Sequence, residues 1–139
     1  LFDHIAIYFA IAGMTTPLCA MLMEMGGNDH ILGMSILITQ WVAVLGGIIF
    51  KCLTVGRYKG ISTSLYLMLG WTCAIPIVRV FPNLNDIEIF YFFGSGILYT
   101  IGTIFYSIRS IEYFHPIWHV FVLIATTFHN LFMLNLLTR

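Results

Sequence analysis

Charge is what this chain has least of. Only 9% of its 139 residues are Asp, Glu, Lys or Arg, six of each sign, and the formal net charge is zero. A soluble domain carries about 25% charged residues. With so few, the chain cannot cover a water-facing surface, and a soluble globule is excluded. No basic patch exists to neutralise phosphates, which excludes nucleic-acid binding. Cysteine is scarce too. Cys19, Cys52 and Cys73 are an odd, widely spaced set with no CxxC, and they read as small apolar fillers in helix packing. No Gly-rich phosphate loop and no GxSxG elbow occur, so a serine-hydrolase triad is not supported.

Apolar residues are abundant instead. They make up 60% of the chain, the mean hydropathy is +0.95, and so much apolar surface excludes intrinsic disorder. Residues 5–23, 31–50, 61–78, 89–108 and 120–138 contain no charged side chain. Crossing the hydrocarbon core takes about 20 apolar residues in a helix. β-Barrel strands are about half as long and alternate polar with apolar, which these runs do not. The sequence therefore predicts an all-α, polytopic transmembrane helix bundle. We expect one transmembrane domain over 1–139, with spans near 5–23, 31–50, 61–78, 89–108 and 117–138.

The connections, 24–30, 51–60, 79–88 and 109–114, are short and make consecutive helices antiparallel neighbours. Lys51, Arg57, Lys59 and Arg109 fall on one face of the membrane, Arg79 and Arg139 on the other. The first face is expected to be cytoplasmic and the C-terminus outside. The first run has an acidic flank, Asp3, where a signal peptide has a basic one. The chain opens Leu1-Phe2 at the lip of a span, so we expect a chain missing its true N-terminus. Pro17 and Pro76 are expected to kink their spans. Gly46-Gly47 and Gly94-Ser95-Gly96 are small-residue patches for close helix approach, or for lining a substrate cleft. Trp41 and Trp71 read as packing or interface anchors.

Ionisable groups inside a membrane are functional candidates by default. His115-Pro116-Ile117-Trp118-His119 is an HxxxH pair at the start of the last span. The i, i+4 spacing stacks both imidazoles on one helix face, where two neutral rings can ligate Zn²⁺ at about 2.0–2.1 Å. The alternative is a pair of interfacial histidines. Pro116 is tolerated in a first helical turn. Asp3 and His4 open the first span, on the same membrane face by the antiparallel count. Asp3 is a candidate general base or holder of a metal-bound water, or simply an acid favoured by the helix dipole. His4 is a candidate ligand or a donor to Asp3. His129 lies ten residues beyond His119, about 15 Å along the axis, too deep for that site. It is expected to bond to a neighbouring helix, among other mid-span polar groups (Gln40, Thr126, Thr127 and Asn130), or to line a proton or substrate path. His30, with Asn28 and Asp29, is expected in a solvated loop.

These residues carry a family likeness. Phe2-Asp3-His4-Ile5-Ala6-Ile7-Tyr8, followed by Ile11-Ala12-Gly13-Met14-Thr15-Thr16-Pro17, resembles a segment of the bacterial hemolysin III proteins. So do Tyr58-Lys59 with Ser62-Thr63 and Leu65 through Trp71. So do Gly94-Ser95-Gly96 through Tyr99-Thr100-Ile101-Gly102 with Phe105-Tyr106, and His115 through Val122 with His129. The matches cover nearly the whole chain in order. The wider group includes the adiponectin and progestin receptors and, more distantly, the alkaline ceramidases.

The resemblance implies seven helices, of which five are present here, with the N-terminus inside and the C-terminus outside the plasma membrane. It implies a Zn²⁺ site near the cytoplasmic face, with His115 and His119 as two ligands. A third His comes, in the family, from an SxxxH motif expected upstream of residue 1; His4 is a candidate substitute. Asp3 matches an Asp that acts through a water and is the catalytic candidate. Met14, Ser95 and Pro116 depart from the usual residues, and none of them removes a ligand. The function implied is zinc-dependent hydrolysis of a lipid amide or ester, or membrane-lipid homeostasis, with membrane lipid as the partner. The alternatives are a cytolytic pore, for which no repeated polar channel pattern is visible, and a receptor with structural zinc.

Overall fold

A computed structural model describes residues 2–54, 57–108 and 111–138, apart from the side chains of Phe2, Asp3 and Lys59. Its elements are α1 (Phe2–Met25), α2 (Gly27–Thr54), α3 (Lys59–Trp71), α4 (Ala74–Val80), a 3₁₀ turn (Phe81–Asn83), α5 (Asp86–Ser107) and α6 (Phe114–Thr138). No strand occurs among the described residues. Among the described residues five segments are long and apolar enough to cross a membrane: His4–Met25, Gly27–Thr54, Gly60–Asn83, Asp86–Ser107 and Phe114–Thr138. The helices outrun most of the uncharged runs because a backbone in lipid must bond to itself. They stop only where headgroups and water can take over. Two compact units result, Leu1–Pro82 and Asn83–Arg139.

In the first unit α1 and α2 form a helical hairpin. The expected loop over 24–30 shrinks to Gly26. Both Gly26 and Gly27 have positive φ (77° and 56°), where a side chain would be strained. Asn28, Asp29 and His30 consequently sit in the first turn of α2. The exposed His30 is not merely solvated: its Nδ1 donates to the Met23 carbonyl at 2.9 Å, satisfying an orphan acceptor at the end of α1.

Two glycines on α2 set how closely it approaches α1. A Cβ on Gly33 would meet the Cys19 carbonyl at 2.7 Å, and one on Gly47 would meet the Tyr8 ring at 2.7 Å. Gly46, next door, faces nothing within 4 Å, so only one member of that small-residue pair is a packing device. Tyr8, Ile11, Ala12, Val44 and Tyr66 form the core of the unit, with Ile7, Trp41, Ile48 and Leu69 against it.

Proline acts differently in the two spans that contain it. α1 runs unbroken through Pro17. The third span breaks at Thr72-Cys73 into α3 and α4. Thr72 is four residues before Pro76, the position whose carbonyl the proline ring displaces and leaves without its usual N–H donor. The chain tightens locally, with the Ile75 N–H donating to the Thr72 carbonyl at 3.2 Å. Gln40, buried at mid-α2, repairs the break. Its Nε2 donates to the Leu69 carbonyl at 3.3 Å, and its Oε1 accepts from the Thr72 hydroxyl at 2.6 Å.

The second unit is the antiparallel pair α5 and α6. Asn85 caps α5 in a reciprocal box with Glu88, each backbone N–H donating to the other's side chain at 2.9 Å, which settles two orphan donors at once. The helices are zipped by rings: Phe92 on Phe132, Tyr91 on Phe128, Phe105 on Phe121 and Tyr106 on Trp118. Gly94 and Gly102 make room for Phe128 and Phe121.

Candidate metal centre

His115 and His119 lie in the first two turns of α6. Phe114 starts the helix, so Pro116 falls in the first turn, where its missing N–H would have had no intrahelical partner. The Ile117 N–H donates to the Tyr113 carbonyl at 3.4 Å, and the ladder begins there without penalty. The two imidazoles stand nearly perpendicular (86°) with centroids 4.7 Å apart. Their Nε2 atoms are 3.1 Å apart, one donating to the other. Two imidazoles ligating one tetrahedral zinc at about 2.0–2.1 Å would hold their nitrogens about 3.3 Å apart. The separation of the pair is close to that of two zinc ligands.

Trp118 fixes this arrangement. It is buried, and its ring lies 5.4 Å from His115 and 4.6 Å from His119, centroid to centroid. Tyr106 packs behind Trp118 at 4.8 Å. Both histidines remain exposed, open to an ion. Among the described residues no three of His, Cys, Asp and Glu come together as a metal group.

The other candidates belong to the first unit or lie deeper. Asp3 is in the first turn of α1, and its side chain lies outside the described residues. His4 is half-buried, with its ring 5.8 Å from that of Tyr66. His129 is buried in α6 beside Phe132. Thr126 hydrogen-bonds Tyr99 across the α5–α6 seam at 2.7 Å. Thr127 turns back on its own helix, to the Leu123 carbonyl, and Asn130 is exposed. The cysteines are free, Cys19 buried and Cys52 exposed, so the filler reading fails for Cys52. Cys73 is 2.8 Å from the Thr15 hydroxyl. That hydroxyl already donates to the Ile11 carbonyl, which leaves the thiol as donor.

Comparison with known proteins completes the reading. A family model described as "Haemolysin-III related" matches residues 1–130. This chain belongs to the haemolysin-III-related family. It is 40% identical over 121 residues to a "Hemolysin-3 homolog" of Bacillus subtilis, covering 87% of this chain and 54% of that protein. It is 38% identical over 121 residues to "Hemolysin-3" of Bacillus cereus, covering 87% and 53%. It is 30% identical over 128 residues to the human "Monocyte to macrophage differentiation factor", covering 91% and 50%. The chain spans about half the length of the curated relatives it matches. No solved structure matches it. With five candidate spans among the described residues, this haemolysin-III-related chain is a multi-pass membrane protein.

Polar residues that sequence reasoning passed over also come together. Lys51 was expected in a loop because its charge ends an uncharged run. In fact α2 continues to Thr54, and Lys51 is a helical residue, 8% exposed, donating to the Ser62 hydroxyl at 3.3 Å. The available signal was spacing. Lys51 falls one helical turn after Gly47, on the face turned to α1.

Proposed function

We propose that this haemolysin-III-related protein binds Zn²⁺ through His115 and His119 near the cytoplasmic face of the plasma membrane, and hydrolyses a lipid amide or ester there. The observation that carries the reading is the 3.1 Å separation of two exposed Nε2 atoms backed by Trp118. Catalytic zinc takes three protein ligands and leaves one position open. The third ligand is assigned by family resemblance to a His upstream of residue 1, with His4 as the candidate substitute. Zinc held there supplies a polarised carbonyl and a water acidic enough to ionise near neutral pH. His115 and His119 would hold it as neutral imidazoles with Trp118 orienting their rings, and the family resemblance assigns Asp3 the role of base toward the water. The C-terminus lies outside in this reading, and the substrate enters sideways from the lipid.

In the full-length protein, His115→Ala and His119→Ala are each expected to abolish stoichiometric zinc, measured by elemental analysis of the purified protein. Full metal content in both variants would remove the proposal. A second reading has the names of two relatives behind it, "Hemolysin-3 homolog" and "Hemolysin-3": permeabilisation of a target membrane. Chelator-insensitive dye release from protein-loaded liposomes, at low protein, would favour it over hydrolysis.

A further inference from the structure

An i, i+4 spacing puts His115 and His119 on one face of α6, but it does not by itself keep their rings together. An exposed imidazole has several rotamers open to it, and the two Nε2 atoms come within 3.1 Å in few of the combinations. Affinity for a metal falls by the fraction of time the ligands spend elsewhere. Trp118, 6% exposed, packs on both imidazoles. It is a side chain of the same helix, however, and needs a support from outside α6.

The last turn of α5 provides that support. The Tyr106 ring lies 4.8 Å from that of Trp118 and 6.4 Å from that of His115, tilted by 43° and 47°, within the range that aromatic pairs favour. Tyr106 therefore meets the pair twice, through Trp118 and against His115. Its neighbours hold it there. Phe105 sits between Phe114 and Phe121, at 5.2 and 5.3 Å, and so pins the first two turns of α6 to the end of α5. One turn earlier, Gly102 closes the seam: a Cβ there would stand 3.0 Å from Phe121 and 3.5 Å from Trp118. We propose that Tyr106 is a positioning residue for the metal pair, its ring holding Trp118 and His115 so that both imidazoles stay side by side. This role rests on the zinc reading, and it lies wholly within the second unit.

Two measurements on the full-length protein in detergent test it, the first without metal. With carbon-13-labelled histidine, the ring signals of His115 and His119 are assigned by their loss in His115→Ala and His119→Ala and followed by NMR. Ring currents from Trp118 are expected to displace both from the position of a free histidine. Tyr106→Ala is expected to return them towards it, and the His119 signal reports the action through Trp118. Zinc affinity is then measured by competition with a coloured chelator. Tyr106→Ala is expected to weaken it about tenfold, the low end of what loss of a group that orients metal ligands costs. Tyr106→Phe keeps the ring and is expected to match the wild type in both measurements. Should Tyr106→Ala fail to fold, Tyr106→Leu carries the test, because it keeps apolar bulk without the flat ring. Tyr91→Ala removes another ring of the same seam, one that packs on Phe128 about 22 Å away along α5. It is expected to lower thermal stability and to leave the histidine signals and zinc affinity unchanged. Wild-type signals and affinity in Tyr106→Ala, or equal losses in Tyr91→Ala, would overturn the role of Tyr106. A loss in Tyr106→Phe would overturn the ring as its cause. A wild type that takes up no zinc would sink the zinc reading instead, and the metal-free signals would still decide whether Tyr106 holds the imidazoles together.

Discussion

The two units solve the same problem, helix association in lipid, by different means. In the first, hydrogen bonds cross between helices at several depths: Lys51 to Ser62, Trp41 to Thr16, Cys73 to Thr15, and Gln40 to Leu69 and Thr72. In the second, aromatic rings interlock along α5 and α6, with the bond between Tyr99 and Thr126 as a polar rung among them. The difference follows from the backbone. The first unit contains a broken helix, and its exposed carbonyls need partners that lipid cannot supply. The second contains two unbroken helices, so van der Waals contact between rings and small residues suffices. A broken span therefore demands polar neighbours, and Gln40 is the residue that meets the demand.

Substitutions can break this contrast. The largest effect is expected from Gly47→Leu. Tyr8 already occupies the space a Cβ would take, and overpacking of this kind costs about 1–3 kcal/mol or more. The same change at Gly46, which faces nothing within 4 Å, is expected to be near neutral. Unfolding in mixed detergent measures both, and equal effects would show that α1 and α2 are not held this closely. Next comes Gln40→Leu. It keeps the volume but removes two bonds to the break, while the Leu69 carbonyl keeps the Thr72 hydroxyl and N–H as donors, so the loss is about 0.5–1.5 kcal/mol for each bond. Faster hydrogen exchange is expected at the Thr72-Cys73 break, with none in α5 or α6. The smallest effect is expected from Tyr99→Phe. Interhelical hydrogen bonds within a membrane average about 0.6 kcal/mol, and the aromatic seam survives. A loss at Tyr99 as large as that at Gln40 would erase the distinction between the units.

Parts of this were legible in the residue string. The charge-free runs announce membrane helices because hydrocarbon leaves the backbone no other way to satisfy itself. His115 and His119 were legible as a pair because an i, i+4 spacing is a local property of a helix, and Pro116 sits where a helix start tolerates it. Other features were hidden for equally physical reasons. Lys51 ended an uncharged run and so looked like a loop residue, yet the helix carries it inward. Gly46 and Gly47 are identical by composition, and only the position of the Tyr8 ring separates them. Pro17 and Pro76 carry the same intrinsic penalty, but only the second interrupts its helix.

The sequence by itself determined the class of molecule, a polytopic helical membrane protein, and the stacking of His115 and His119 on one helix face. Both follow from short-range rules: how far a helix reaches in lipid, and how far apart its side chains stand. Tertiary structure decided which polar groups meet within the first unit, because those meetings join residues up to 58 positions apart, as Thr15 and Cys73 show. No periodicity within a single helix encodes such a contact. It depends on where neighbouring helices come to rest, and that is set by glycines, rings and a break in one span.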